Sequence, residues 1–78
     1  MTRTFETGTY GKVTFTKTAN NWSYNISKQH NILVIPVDDR FIAREQKVSK
    51  HGKYMEGKEI IVIKEATGKT IKEALLKI

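Results

Sequence analysis

Asp38-Asp39-Arg40-Phe41-Ile42-Ala43-Arg44-Glu45-Gln46-Lys47-Val48-Ser49-Lys50 admits two secondary structures, and the architecture of the chain follows from the choice between them. As a helix the stretch would start at Asp38 or Asp39, whose short carboxylates suit an N-cap, and stop at Gly52. Phe41, Arg44/Glu45 and Val48 would then form only a thin apolar stripe. As a strand, 40–48 would return through the polar loop 49–57 to pair with 59–64. The strand is the preferred reading and the helix the alternative. The same choice decides whether the basic residues of this stretch share a face.

Downstream, Ile60-Ile61-Val62-Ile63 is a continuous β-branched run, the pattern of an interior strand covered on both faces. Thr70-Ile71-Lys72-Glu73 then has the capping-box form, in which Thr70 serves the Glu73 backbone N–H and Glu73 reaches back. Ile71, Ala74, Leu75 and Ile78 fall at i, i+3, i+4 and i+7 on one helical face. A helix this short does not form alone in water, so it must dock that face on the sheet.

Upstream, Ile32-Leu33-Val34-Ile35 is a second buried run, with Pro36 expected at its end because proline cannot donate to a ladder. Residues 11–18 and 21–27 read as a hairpin. Val13 and Phe15 alternate with Lys12, Thr14 and Thr16, and Trp22, Tyr24 and Ile26 share one face. Ala19-Asn20-Asn21 is the turn between them, with asparagine the residue expected to tolerate a left-handed backbone. A further turn is expected near Gly8. Trp22 is expected in the core, whereas Tyr10 and Tyr54, near turns, are the better candidates for stacking on a ligand. The predicted fold is α+β: a small antiparallel sheet of four to five strands, open or barrel-like, with one C-terminal helix packed on it.

Seventy-eight residues fit one small domain. A chain of this length buries roughly 60% of its unfolded surface, which leaves little room for an enclosed catalytic pocket. There is no cysteine, which excludes disulfides, thiol nucleophiles and Cys-ligated metals. The opening MTRTFETGTYGK has no signal-peptide pattern and no run approaches membrane-spanning length, so a cytoplasmic protein without membrane contact is expected.

Charge is the main pointer to function. Fourteen Lys and Arg against eight Asp and Glu give +6. Between Glu6 and Asp38 there is no acidic residue, and Lys12, Lys17 and Lys28 stand beside Tyr10, Phe15, Trp22 and Tyr24. Arg40, Arg44, Lys47, Lys50 and Lys53 against Glu45 supply +4 of the total within 14 residues. Such a distribution suits phosphate contacts, with aromatic rings able to stack on bases. The expectation is therefore a non-enzymatic nucleic-acid-binding domain, needing no cofactor, that uses Tyr10, Lys12, Lys17, Arg40, Arg44, Lys47, Lys50, Lys53 and Tyr54. DNA and RNA are equally compatible with it. The alternative is a protein-interaction module or inhibitor that binds an acidic protein, or a homodimerising accessory protein. Both compete with the bland role of lysines as solubilising residues.

Catalytic patterns are weaker. Tyr10-Gly11-Lys12-Val13-Thr14-Phe15 partly matches the RNP1 strand of RNA-recognition motifs, but Lys12 stands where a stacking aromatic belongs and no helix precedes it. Gly68-Lys69-Thr70 copies the end of a P-loop, yet Ile63 stands where its first Gly should be, leaving at most one phosphate contact at the helix start. Asp38 or Asp39 with Glu45-x-Lys47 imitates a metal-dependent nuclease, and His30 with His51 an acid–base pair for RNA cleavage. A metal site has no supporting ligand spacing.

Overall fold

Residues 40–50 are strand. The computed structural model describes residues 1–50 and 58–78, and the side chains of all of these except 49, 50 and 58. Six strands follow one another: β1 (Thr2–Thr7), β2 (Gly11–Thr18), β3 (Asn21–Ser27), β4 (His30–Val37), β5 (Arg40–Lys50) and β6 (Lys58–Gly68), then helix α1 (Ile71–Leu76). They form one antiparallel sheet in the order β1-β2-β3-β4-β5-β6, so every strand pairs with its neighbour in sequence. The expected four to five strands are thus six, because the N-terminal stretch splits in two at Gly8 and 40–50 adds its own. The sheet is not closed into a barrel.

Tight loops set this meander. Ala19-Asn20, Lys28-Gln29 and Asp38-Asp39 are the two residues left between successive strands. The left-handed positions are Ala19 (φ 55°) and Asp38 (φ 54°). The first corrects the expectation that an asparagine of 19–21 would take this conformation. A positive φ at the first loop position suits the twist of the sheet in these two loops, though not in Lys28-Gln29, and alanine bears the strain at 19.

Alternation gives the sheet one packed face. Phe5, Phe15, Trp22, Ile32, Val34 and Ala43 are buried on it, and Ala74, Leu75 and Ile78 of the C-terminal segment press against them. Trp22 is in the core, as its alternation indicated. The Phe5 ring meets Phe15 edge-on at 5.7 Å and Trp22 at 5.6 Å, the geometry that aromatic quadrupoles favour. Ile32 and Val34 are fully buried, and Leu33 and Ile35 on the other face are half-covered.

The helix explains the curvature. Six strands laid flat would put β1 and β6 about 24 Å apart. A six-residue helix nevertheless touches β1, β5 and β6, so the sheet curls until one helix spans the seam between its first and last strands. Thr70 caps α1 by accepting from the Glu73 N–H at 3.1 Å. The Gly8 N–H donates to the Leu75 carbonyl at 3.2 Å, fastening α1 to the β1–β2 turn. Among the described residues no helix is long and apolar enough to cross a membrane.

One expectation is overturned by exposure. Ile60-Ile61-Val62-Ile63 is not an interior strand. β6 is the last strand of the sheet, and these four side chains are 42–54% exposed. The aliphatic run met the criterion for a two-sided interior strand, but it stands at the edge of the sheet with its side chains about half exposed.

Candidate nucleic-acid interface

The strand at 40–50 divides its basic residues. Arg40, Arg44 and Gln46 point to the outer face, whereas Phe41, Ala43, Glu45 and Lys47 share the face that carries the core, a direct result of the period of two. Arg44 is further spent on Glu65, its cross-strand neighbour, at 2.7 Å. Arg40 lies 3.7 Å from Asp39, and both side chains are largely in solvent, so this pair neutralises little. Lys12 is exposed opposite Glu6, and Lys17 sits on the other face, 5.8 Å from the Trp22 ring. The expected surface of Tyr10, Lys12, Lys17, Arg40, Arg44 and Lys47 is therefore not one surface. Of the remaining candidates, Lys53 and Tyr54 lie outside the described residues, as do His51 and Gly52, and Lys50 is described only as the backbone partner of Lys58.

Tyr10 is anchored by its hydroxyl. It is half-buried and its hydroxyl donates to Glu45 Oε2 at 2.6 Å. His30 Nε2 lies 2.7 Å from the same oxygen. Glu45 is 4% exposed, so the residue counted from sequence as the acid among the basic block is an inward-facing acceptor. Burial pushes the Glu45 carboxyl up, but the hydrogen bonds from Tyr10 and His30, with the charges of His30 and Lys64, outweigh it and hold the group below its ordinary value. The same bond, with burial and the negative charge, raises the Tyr10 phenol.

A carboxyl whose folded pKa is depressed contributes stability that is present above its unfolded value, about 4.5 here, and lost as pH falls through the folded value. Urea titrations of the native protein from pH 7 down to 3 are expected to lose stability below about pH 4.5, and Glu45→Gln to flatten that acid limb. An identical limb in the variant would show that Glu45 does not produce it.

The residues of the metal-nuclease likeness are set apart in space. Asp38 and Asp39 stand at the β4–β5 turn, six or seven residues along the strand from Glu45, roughly 20 Å at a strand's rise. They share no metal with it. Among the described residues no group of three His, Asp or Glu is placed to hold a metal ion. The P-loop likeness also fails in space. A Cβ at Gly68 would lie 2.6 Å from the Ala74 nitrogen, so this glycine packs against α1 and does not cradle a phosphate.

Cations converge elsewhere, at the end of the seam that α1 spans. A depression of about 170 Å³ is lined by Arg40, Thr67, Gly68, Lys69, Glu73 and Lys77. A second, about 270 Å³, shares Lys69 as a wall and adds Arg3, Lys72, Phe5, Phe41, Thr70 and Ile71. Arg3 lies over the Phe5 ring at 5.0 Å. Five cations from three distant segments thus line the two depressions, Arg3, Lys69 and Lys72 around the aromatic and aliphatic floor of the second, with Glu73 the one carboxylate lining either. Only Arg40 among them was singled out from the sequence. Lys69, Lys72 and Lys77 were legible as the polar side of a helix read for its apolar side, and Arg3 by its period-2 relation to Phe5. Comparison with known protein families, curated proteins and solved structures finds no match to this chain.

Proposed function

We propose that this chain is a small non-enzymatic nucleic-acid-binding domain that contacts phosphates through Arg3, Arg40, Lys69, Lys72 and Lys77. The observation that carries the reading is the convergence of these five cations around two adjoining depressions that share Lys69, the second of them floored by Phe5, Phe41 and Ile71. The cations would fix the backbone of the ligand without reading its sequence. The half-exposed Phe41 ring offers a sequence-tolerant platform for an unpaired base, beside the Phe5 ring that Arg3 covers. With cations as the main contacts, affinity would come mostly from counterion release and fall steeply with salt.

Fluorescence anisotropy with labelled single-stranded DNA, duplex DNA and RNA at several salt concentrations tests this. Arg3, Lys69 and Lys72 together replaced by Ala should reduce the slope of log affinity against log salt by about 2–3, at 0.7–0.9 per phosphate contact. Arg44→Ala with Lys47→Ala should leave the slope nearly unchanged, because Arg44 is held by Glu65. Absence of binding at low salt, or an unaltered slope in the triple variant, would overturn the assignment.

A second reading is favoured by a different observation. The exposed run Ile60–Ile63 is the kind of apolar edge that protein partners cover. On that reading the chain is a protein-interaction module, and the basic end steers it toward an acidic partner. A stable protein complex together with negligible nucleic-acid affinity at physiological salt would select it.

A further inference from the structure

We infer that two copies of this chain pair through β6, edge to edge and antiparallel, about a two-fold axis at Ile61. The edge is uncovered where it matters. The C-terminal half of β6 is shielded by α1, and the Lys77 Nζ donates to the Thr67 carbonyl at 2.9 Å. Around Ile60–Ile63 no strand or helix of the described residues lies on the outer side of β6. Natural edges carry charges, prolines or bulges that discourage pairing; this run has a bulge at Ile63 but no charge or proline within it. Here four consecutive aliphatic side chains stand at 54, 49, 47 and 42% exposure, on both faces of the strand.

The register identifies the occupant. Gln46 pairs with Val62 but Glu45 with Lys64, so Ile63 is an extra, bulged residue. The bulge shifts the alternation. Glu59, Ile61 and Lys64 share the inner face, and Ile60, Val62 and Glu65 the outer one. A two-fold axis perpendicular to the sheet keeps faces matched, so opposed residues must lie on the same face. Centring the axis on Ile61 sets Ile61 against its own copy and Ile60 against Val62. It then passes over the bulge and sets Glu59 against Lys64. Apolar meets apolar in the middle, and opposite charges meet at both ends.

Moving the axis one residue to Val62 puts Ile61 against Lys64 and Ile60 against Glu65. Moving it to Ile60 puts Glu59 against Ile61. Only the Ile61 register is complementary throughout, and it uses the bulge to be so. The other free edge, β1, reads Thr2-Arg3-Thr4-Phe5-Glu6-Thr7, with Phe5 turned into the core, and offers no matching aliphatic run. Lys64 donates to Thr9 Oγ1 at 3.2 Å and to the Ile78 carbonyl at 3.5 Å within its own chain. An ammonium has three donors, which leaves it able to reach a facing carboxylate.

The pairing makes one twelve-stranded sheet from two six-stranded ones. It is tested by light scattering on the native protein, by Ile61→Lys, and by single-cysteine variants in a chain that contains no other cysteine. The native protein should have twice the 9.0 kDa chain mass. Ile61→Lys places like charges on the axis and should halve the measured mass while leaving the circular dichroism spectrum intact. Directly opposed residues sit about 4.5–5.5 Å apart at Cα, within disulfide range. Ile61→Cys should therefore cross-link under mild oxidation at least about tenfold faster than Ile60→Cys, whose copies would lie about 8 Å apart, beyond that range. A monomer at millimolar concentration overturns the proposal. So does a dimer that survives Ile61→Lys or cross-links equally through both positions, or a series of higher oligomers, which would signal β6-to-β1 pairing.

Discussion

Replacing Phe15 with Ala is expected to lower the melting temperature by about 15 °C or more. Phe15 is fully buried and is the ring about which the core is arranged, edge-on to Phe5 and tilted against Tyr24 at 5.8 Å. Truncating a buried Phe to Ala costs about 3–5 kcal/mol, because the lost transfer energy is joined by the cavity left behind. A chain of this length has a total stability of about 4–12 kcal/mol, so the loss takes a large share of what there is. Each kcal/mol moves the midpoint of so small a domain by about 4–8 °C. Thermal melts followed by circular dichroism and by Trp22 fluorescence measure it. Phe15→Leu, which keeps most of the buried volume, should retain a cooperative transition. A shift of less than about 5 °C for Phe15→Ala would mean that the aromatic cluster is not what holds the curled sheet.

Adding a single methyl group at Gly68 is expected to unseat α1. A Cβ there would lie 2.6 Å from the Ala74 nitrogen and 3.0 Å from the Glu73 carbonyl carbon. Both are backbone atoms, which cannot turn aside as a flexible side chain would. A Cβ at Gly8 would be equally close, 2.5 Å from the Leu76 carbonyl oxygen. The helix is thus held between two glycines, one at the end of β6 and one in the β1–β2 turn. Overpacking of this kind costs about 1–3 kcal/mol when the structure can yield, and here yielding means lifting Ala74 and Leu75 off the core. Hydrogen exchange at the Ala74 and Leu75 amides should accelerate by tenfold or more in Gly68→Ala, while amides in the centre of β3 and β4 slow-exchange much as before. Uniform acceleration across the whole sheet would show that α1 and the sheet unfold as one unit. Unchanged protection at Ala74 would contradict the close approach itself.

The N-terminal strands were legible because each carries a clean alternation. Val13 and Phe15 on β2, and Trp22 and Tyr24 on β3, announce the buried face without help from elsewhere. The helix was legible for the same reason at a different period, since Ala74, Leu75 and Ile78 are the residues it buries. Residues 40–50 were only partly legible. Phe41-Ile42-Ala43 fits either period, and the decision comes from pairing with β4 and β6, which is tertiary. Two features could not be read locally. Whether a β-branched run is interior or at an edge depends on what lies beside it, so Ile60–Ile63 looked like the inside of a sheet. The cationic end at Arg3, Arg40 and Lys69 joins segments that only the curl brings together. By contrast, the separation of Arg44 from Lys47 was already implied by three residues on a strand. The role of Glu45 was not implied at all, because its partners Tyr10 and His30 are 35 and 15 residues away.

The sequential strand order has a consequence for how the chain reaches this structure. The four hairpins from β1 to β5 each close across a loop of two or three residues, so each pays little loop entropy, and this part of the sheet can grow by adding one strand at a time as the polypeptide emerges. The contacts that span the chain are of another kind. Thr9 donates to the Ile78 carbonyl across 69 residues, and Gly8 meets Leu75 in the same place. They can form only after the last strand exists. The meander should therefore assemble early as an open, mobile ribbon with its aromatic face wet, and the cooperative folding step should be the late arrival of a single turn and a half of helix that shuts it.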